Sequence, residues 1–147
     1  MIHNLDYRLH KDPSQLEGTQ YFEIAPGPYQ NEHWQPSSTF IHSDTFTLFE
    51  YIFEKRCPRY DRCGYCELNS TTWNQVLDDM LELRAALSAP GDLDSAKAFA
   101  GCTPTNWRHP QGLPITDPPA LALLLLEFER WGRNVAAAHS TVTIQGL

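Results

Sequence analysis

Residues 117–145 read DPPALALLLLEFERWGRNVAAAHSTVTIQ, and this stretch decides the fold. Asp117 is a helix N-cap, and Pro118 and Pro119 stand in the first turn, where a missing N–H is harmless; a helical pattern then runs to about residue 138. Leu121, Leu124, Leu125, Phe128, Trp131 and Val135 recur at helical spacing as one apolar stripe. Leu123 and Leu126 lie off that stripe, so the first half of the helix is apolar nearly all round. Burial between two layers is expected there, with a contact patch for another chain as the alternative. The stretch closes on Thr141-Val142-Thr143-Ile144-Gln145, an alternating strand ended by Gly146.

Two more helices are legible upstream. Ser43 is a good N-cap and Asp44 suits the positive end of a helix dipole, which predicts a helix to about Arg56. On it Phe46, Phe49 and Phe53 fall within an arc of about 60°, and Cys57-Pro58 stops it. Asn69 or Ser70 can cap the next helix, over residues 71–88, where Trp73, Val76, Leu77, Met80, Leu83 and Leu87 share one face. Asp78, Asp79 and Glu82 then project from the opposite face as a solvated acidic ridge. Arg84 falls inside the apolar stripe, which suggests a stem laid along the core edge or a specific carboxylate partner.

The N-terminal part is less regular. Leu5, Tyr7 and Leu9 alternate with polar neighbours and residues 21–24 carry aromatic and branched side chains, so these two segments are expected to pair as a hairpin. Ala25-Pro26-Gly27-Pro28 ends the second segment, and the following stretch to Ser38, with Trp34 and Pro36, reads as a loop, as do residues 59–66. Asp94 can cap a short further turn. Residues 101–117 are rich in proline and read as an irregular connection pinned by Trp107. The expected fold is therefore a single α+β domain spanning residues 1–147, three main helices packed with a small sheet of N-terminal strands and the C-terminal strand.

Composition narrows the function. The 147 residues are 41% hydrophobic and 12% aromatic, which suits a packed globule. Eleven Lys and Arg against 18 Asp and Glu leave a net charge of −7, unsuited to a phosphate backbone, so nucleic acid is not an expected partner. No apolar run approaches the roughly 20 residues needed to span a bilayer, and no signal peptide is legible at Met1, so a cytoplasmic protein with reduced cysteines is expected. Between Glu67 and Asp94 there are six acids and a single base, Arg84, a concentration that can attract a basic partner and speed encounter.

The segment with the most chemical character runs from Cys57 to Cys66. Cys63 and Cys66 have the C-x-x-C spacing of two zinc thiolates, and Cys57 or Cys102 with a histidine such as His109 can complete four ligands. The other reading has Cys57 packed inward among the phenylalanines and no cofactor at all. Glu50 and Glu54 are four apart and can in principle work as paired carboxylates, although exposed helical acids at that spacing are common. No nucleophile elbow or phosphate loop occurs, so no catalytic residue is assigned and no enzyme activity is expected.

The order of the patterns resembles small bacterial immunity proteins of polymorphic toxin systems. The resemblance is spread over residues 41–147. It is carried by the Phe46, Phe49, Phe53 helix, by Tyr60-Asp61 and Gly64-Tyr65, by the Trp73 to Leu87 helix, and by Phe128 and Trp131 leading into Val142-Thr143-Ile144-Gln145-Gly146. Cys57, Cys63, Cys66 and the connection over residues 101–117 depart from it. The resemblance implies binding to a cognate toxin and transfers no individual contact residues. The expected function is non-catalytic neutralisation of such a partner, a basic protein met by Asp78, Asp79 and Glu82. The competing class is a small zinc-binding regulatory or structural protein using Cys57, Cys63, Cys66 and Cys102.

Overall fold

A computed structural model describes residues 5–88 and 117–146. Four strands, β1 (Tyr21–Pro26), β2 (Thr39–His42), β3 (Tyr65–Asn69) and β4 (Thr141–Gln145), form one antiparallel sheet in the order β2-β1-β4-β3. The helices are α1 (Ser43–Phe46), α2 (Glu50–Arg56), α3 (Ser70–Ser88) and α4 (Pro118–Ala138). The architecture is α+β, as expected.

Side chains alternate across a strand, and here the alternation assigns each face. Phe22 and Ile24 of β1, Ile41 of β2, Cys66 and Leu68 of β3, and Val142 and Ile144 of β4 join the helices in one core. At its centre Trp73 is fully buried and donates its indole N–H to the Gly132 carbonyl at 3.0 Å. Glycine is required at that crossing: a Cβ on Gly132 would lie 2.8 Å from Leu77 Cδ2 and 2.9 Å from Trp73 Cζ2. The caps of the long helices hold, with Asn69 Oδ1 accepting from Thr72 N and Asp117 Oδ1 from Ala120 N.

Several expectations are corrected. Leu5, Tyr7 and Leu9 do not form a strand; their side chains pack on the core, but the backbone meets the sheet only through a bridge between His10 and Phe40. Asp6 is the reason, since its carboxylate accepts from the Arg8 backbone and side chain, local bonds that compete with a ladder, and its carbonyl is taken by the distant Thr45 hydroxyl. The expected hairpin is thus absent, and β1 pairs with β2 and β4 instead. β3 occupies the junction of the expected loop over residues 59–66 and the expected helix cap, and β2 occupies residues 39–42, for which no element is expected. The single helix over residues 43–56 is two short ones: α1 is capped by the His42 ring rather than by Ser43, α2 starts after Phe49 without a side-chain cap, and Thr47 bonds back to the Ser43 carbonyl at the break. Its phenylalanine face survives, with Phe46, Phe49 and Phe53 fully buried. On α4, Leu123 is 56% exposed, so the expected burial on all sides does not hold. The expectations for Asp94, Trp107 and the rest of residues 89–116 lie outside the described residues.

Candidate functional site

The acidic ridge on α3 is largely neutralised from within. Asp79 is 3% exposed and accepts from Arg56 Nε at 2.7 Å and Nη2 at 3.0 Å, with Lys55 Nζ at 3.4 Å. Burial opposes its charge, yet the hydrogen bonds and charges of Arg56 and Lys55 outweigh burial and hold the carboxyl below its usual range. Asp78 is exposed but bound by Arg133 Nη2 at 2.7 Å, and Arg133 also reaches Glu129 and Asn74. Of the three residues, Glu82 alone is exposed and outside the ion pairs formed among the described residues. On a helical wheel Asp79 falls about 40° from Leu83, on the flank of the apolar stripe of α3 rather than opposite it with Asp78 and Glu82, and the basic end of α2 covers that flank.

The cysteine loop is also differently disposed from the zinc reading. Cys57 and Cys66 are both buried and joined as a disulfide, whereas reduced thiols were expected; in that form neither offers a thiolate to a metal. Cys63 is exposed and Cys102 lies outside the described residues. Among the described residues no three metal-ligating side chains come together. Glu50, read as an exposed acid, is fully buried: Tyr60 Oη donates to it at 2.5 Å and Arg62 Nη1 at 2.6 Å. Burial, reinforced by the adjoining Glu50 charge, pushes the Tyr60 hydroxyl far above the ordinary phenol range. Gly146 N donates to the Gly64 carbonyl at 2.8 Å, which ties the same loop to the end of β4.

The more distinctive surface is the other face of the sheet, turned away from the helices. Register sets Phe40, Glu23, Gln145 and Tyr65 in one row across all four strands. The loop of residues 27–38 folds back over this row and is clasped by it. Glu23, 4% exposed, accepts from Trp34 N at 2.7 Å, Gln35 N at 2.9 Å and Ser38 Oγ at 2.6 Å. Gln145, 1% exposed, donates through Nε2 to the Glu32 carbonyl at 2.9 Å, while its Oε1 has no hydrogen-bond partner among the described residues. Thr143 Oγ1 donates to the Gly27 carbonyl, and Tyr29 N to the Glu67 carboxylate.

Aromatic rings complete the clasp. Tyr29 stacks on Tyr65 at 3.7 Å between centroids, and Trp34 stacks on Phe40 at 5.3 Å with its edge toward Tyr21. Asn31 and Trp34 sit at φ 58° and 63°, the left-handed region that bulky residues avoid, so the loop holds backbone strain that its clasp must offset. Between loop and strands lies a cleft of about 180 Å³. Glu32 and Glu67 are exposed on this side and belong to none of the ion pairs among the described residues, beside Trp34 and Tyr65, 36% and 47% exposed. Residue types alone did not reveal this site. The signal that could have found it is Glu23, an acid inside β1 that needs buried donors, followed by the loop up to Ser38 that carries Trp34.

No family model matches the chain, and no curated protein or solved structure matches it.

Proposed function

We propose that this protein is a non-catalytic binding protein that neutralises a cognate toxin by direct protein–protein contact, in the manner of an immunity protein, and that its partner is basic. The observation that carries the reading is the outer sheet face: exposed carboxylates of Glu32 and Glu67 that belong to no ion pair among the described residues, set beside half-exposed aromatic rings. Unpaired acids steer a positive partner and raise its rate of encounter. Rings with few rotatable bonds are the side chains that most often anchor an interface once contact is made. The net charge of −7 works in the same direction. On this reading the contact surface moves from Asp78 and Asp79, whose charges are already matched by Arg133, Arg56 and Lys55, to the sheet, and Glu82 contributes steering alone.

The test is co-expression with the product of the adjacent reading frame. Rescue of growth and co-purification of the two proteins are expected, and the double variant Trp34→Ala, Tyr65→Ala should weaken both while Glu82→Gln leaves co-purification in place. A neighbour that is harmless when expressed alone, or rescue without any complex, would remove the proposal.

A further inference from the structure

Glu23 on β1 and Gln145 on β4 stand directly opposite each other, and both line the cleft under the residue 27–38 loop, together with Tyr21 and Trp34. Its volume of about 180 Å³ is below the roughly 300–1,000 Å³ of sites for drug-sized ligands, and leaves room for one slim side chain. Glu23 and Gln145 both present acceptors to it, and Thr19 and His33 also line it. Glu23 has about four lone-pair positions, of which the Trp34, Gln35 and Ser38 donors take three; the remaining one is on Oε1. The orientation of the Gln145 amide is set by Nε2 donating to the Glu32 carbonyl, since the reverse orientation would face two oxygens together. Its Oε1 is therefore a buried acceptor without a donor among the described residues, a penalty that an incoming N–H would relieve.

We infer that this cleft is a binding site for a primary ammonium at the end of a slim alkyl chain, the chemistry of a lysine side chain or of a free alkylamine. An ammonium carries three diverging N–H donors and can serve acceptors on two different strands. A guanidinium instead seeks both oxygens of one carboxylate, and those of Glu23 are mostly occupied. Tyr21 and Trp34 offer apolar flanks for methylenes and ring faces for the charge. Oε1 is closed from solvent, so entry requires rotation of the Trp34 or Gln145 side chain, an adjustment of the size common when partners bind. The site itself stands on the cleft; assigning the ammonium to a partner's lysine rests on the neutralising reading above.

An NMR titration of the full chain tests it, with n-butylammonium, n-butanol, butylguanidinium and a Gly-Gly-Lys-Gly-Gly peptide as probes. Butylammonium should produce saturable shifts at the Gln145 side-chain amide, Gly146 and Trp34, with butanol and butylguanidinium at least about tenfold weaker. Gln145→Met should weaken ammonium binding to a similar extent; if that variant does not fold, the comparison of probes on the unaltered chain decides. Tighter binding of the peptide than of butylammonium assigns the source to a protein lysine, and the reverse order to a free amine, either result supporting the site. No saturable shift with butylammonium, or an equal response to butanol, which would mark a merely water-filled notch, overturns it. Ammonium binding by a chain that fails to protect against its neighbour would leave the site and remove the toxin reading, and protection without ammonium binding would do the opposite.

Discussion

Replacing Glu23 with Gln changes one atom and should release the loop that covers the sheet. The carboxylate accepts three donors, two of them backbone N–H groups of Trp34 and Gln35. Hydrogen bonds to a charged acceptor contribute about 1.5–3 kcal/mol each. An amide has one acceptor oxygen with two lone pairs, so at least one of the three donors is orphaned and faces an NH₂ group instead. The lost bond together with the unsatisfied donor comes to about 3–5 kcal/mol. A neutral amide is easier to bury than a carboxylate, which offsets about 1–2 kcal/mol and leaves a net cost of about 2–3 kcal/mol. That corresponds to roughly 30- to 150-fold in the opening equilibrium of the loop. Backbone amide exchange read by NMR measures it directly: Trp34 and Gln35 should lose protection by that factor while the amides of α3 change little. Unaltered exchange at those two residues would refute the clasp. So would an equal loss throughout α3, because the loop would then not open as a separate unit.

Gly132→Ala should destabilise the protein by about 1–2 kcal/mol, since overpacking against Leu77 and Trp73 outweighs the helix propensity gained; urea unfolding with an unchanged or higher midpoint would contradict the crossing described for α3 and α4. Acid should act through Asp6, held at about 2 against burial by Arg8 and His10, and through Asp79, held low by Arg56 and Lys55. Both carboxyls are depressed in the folded state, so their stabilisation is full above the unfolded carboxylate value of about 3.9 and is lost as pH falls through the folded values. The urea midpoint should therefore drop between about pH 4 and 2, less steeply in Asp6→Asn, Asp79→Asn, and an identical slope in that variant would count against the assignment. Reduction of the Cys57–Cys66 disulfide, which closes a short loop, should lower stability by about 2–3 kcal/mol. Thiol titration of the denatured, unreduced chain in which both residues react would exclude the bond.

What was legible in the sequence shares one property: the signal and its meaning lie within a few residues. Asp117 with two prolines announces α4, Asn69 starts α3, and the alternation of residues 141–145 is β4, because caps and periodicity are local physics. β3 alternates just as cleanly, but Tyr65 and Cys66 fall within the expected loop over residues 59–66 and Asn69 doubles as the cap of α3, so its pattern is divided between its two neighbours. Asp79 lies only about 40° from Leu83 on the wheel, so its burial at the stripe's flank is a local signal, whereas the cations that match its charge, Lys55 and Arg56, arrive from another element. The outer-face site was invisible for the same reason. Glu23, Trp34, Ser38 and Gln145 become neighbours only once the strand order is known, and nothing in any one segment states that order.

The strand order β2-β1-β4-β3 also constrains the sequence in which the sheet can close. Among the described strands β4 comes last along the chain, and it is flanked by β1 on one side and β3 on the other. Without it β1 pairs with β2 alone and β3 has no partner strand. The contact from Thr143 to Gly27 spans 116 residues, the kind of distant pairing that slows folding. Closure of the sheet therefore waits on residues 141–145, and the cleft, which needs Gln145, is completed at the same moment.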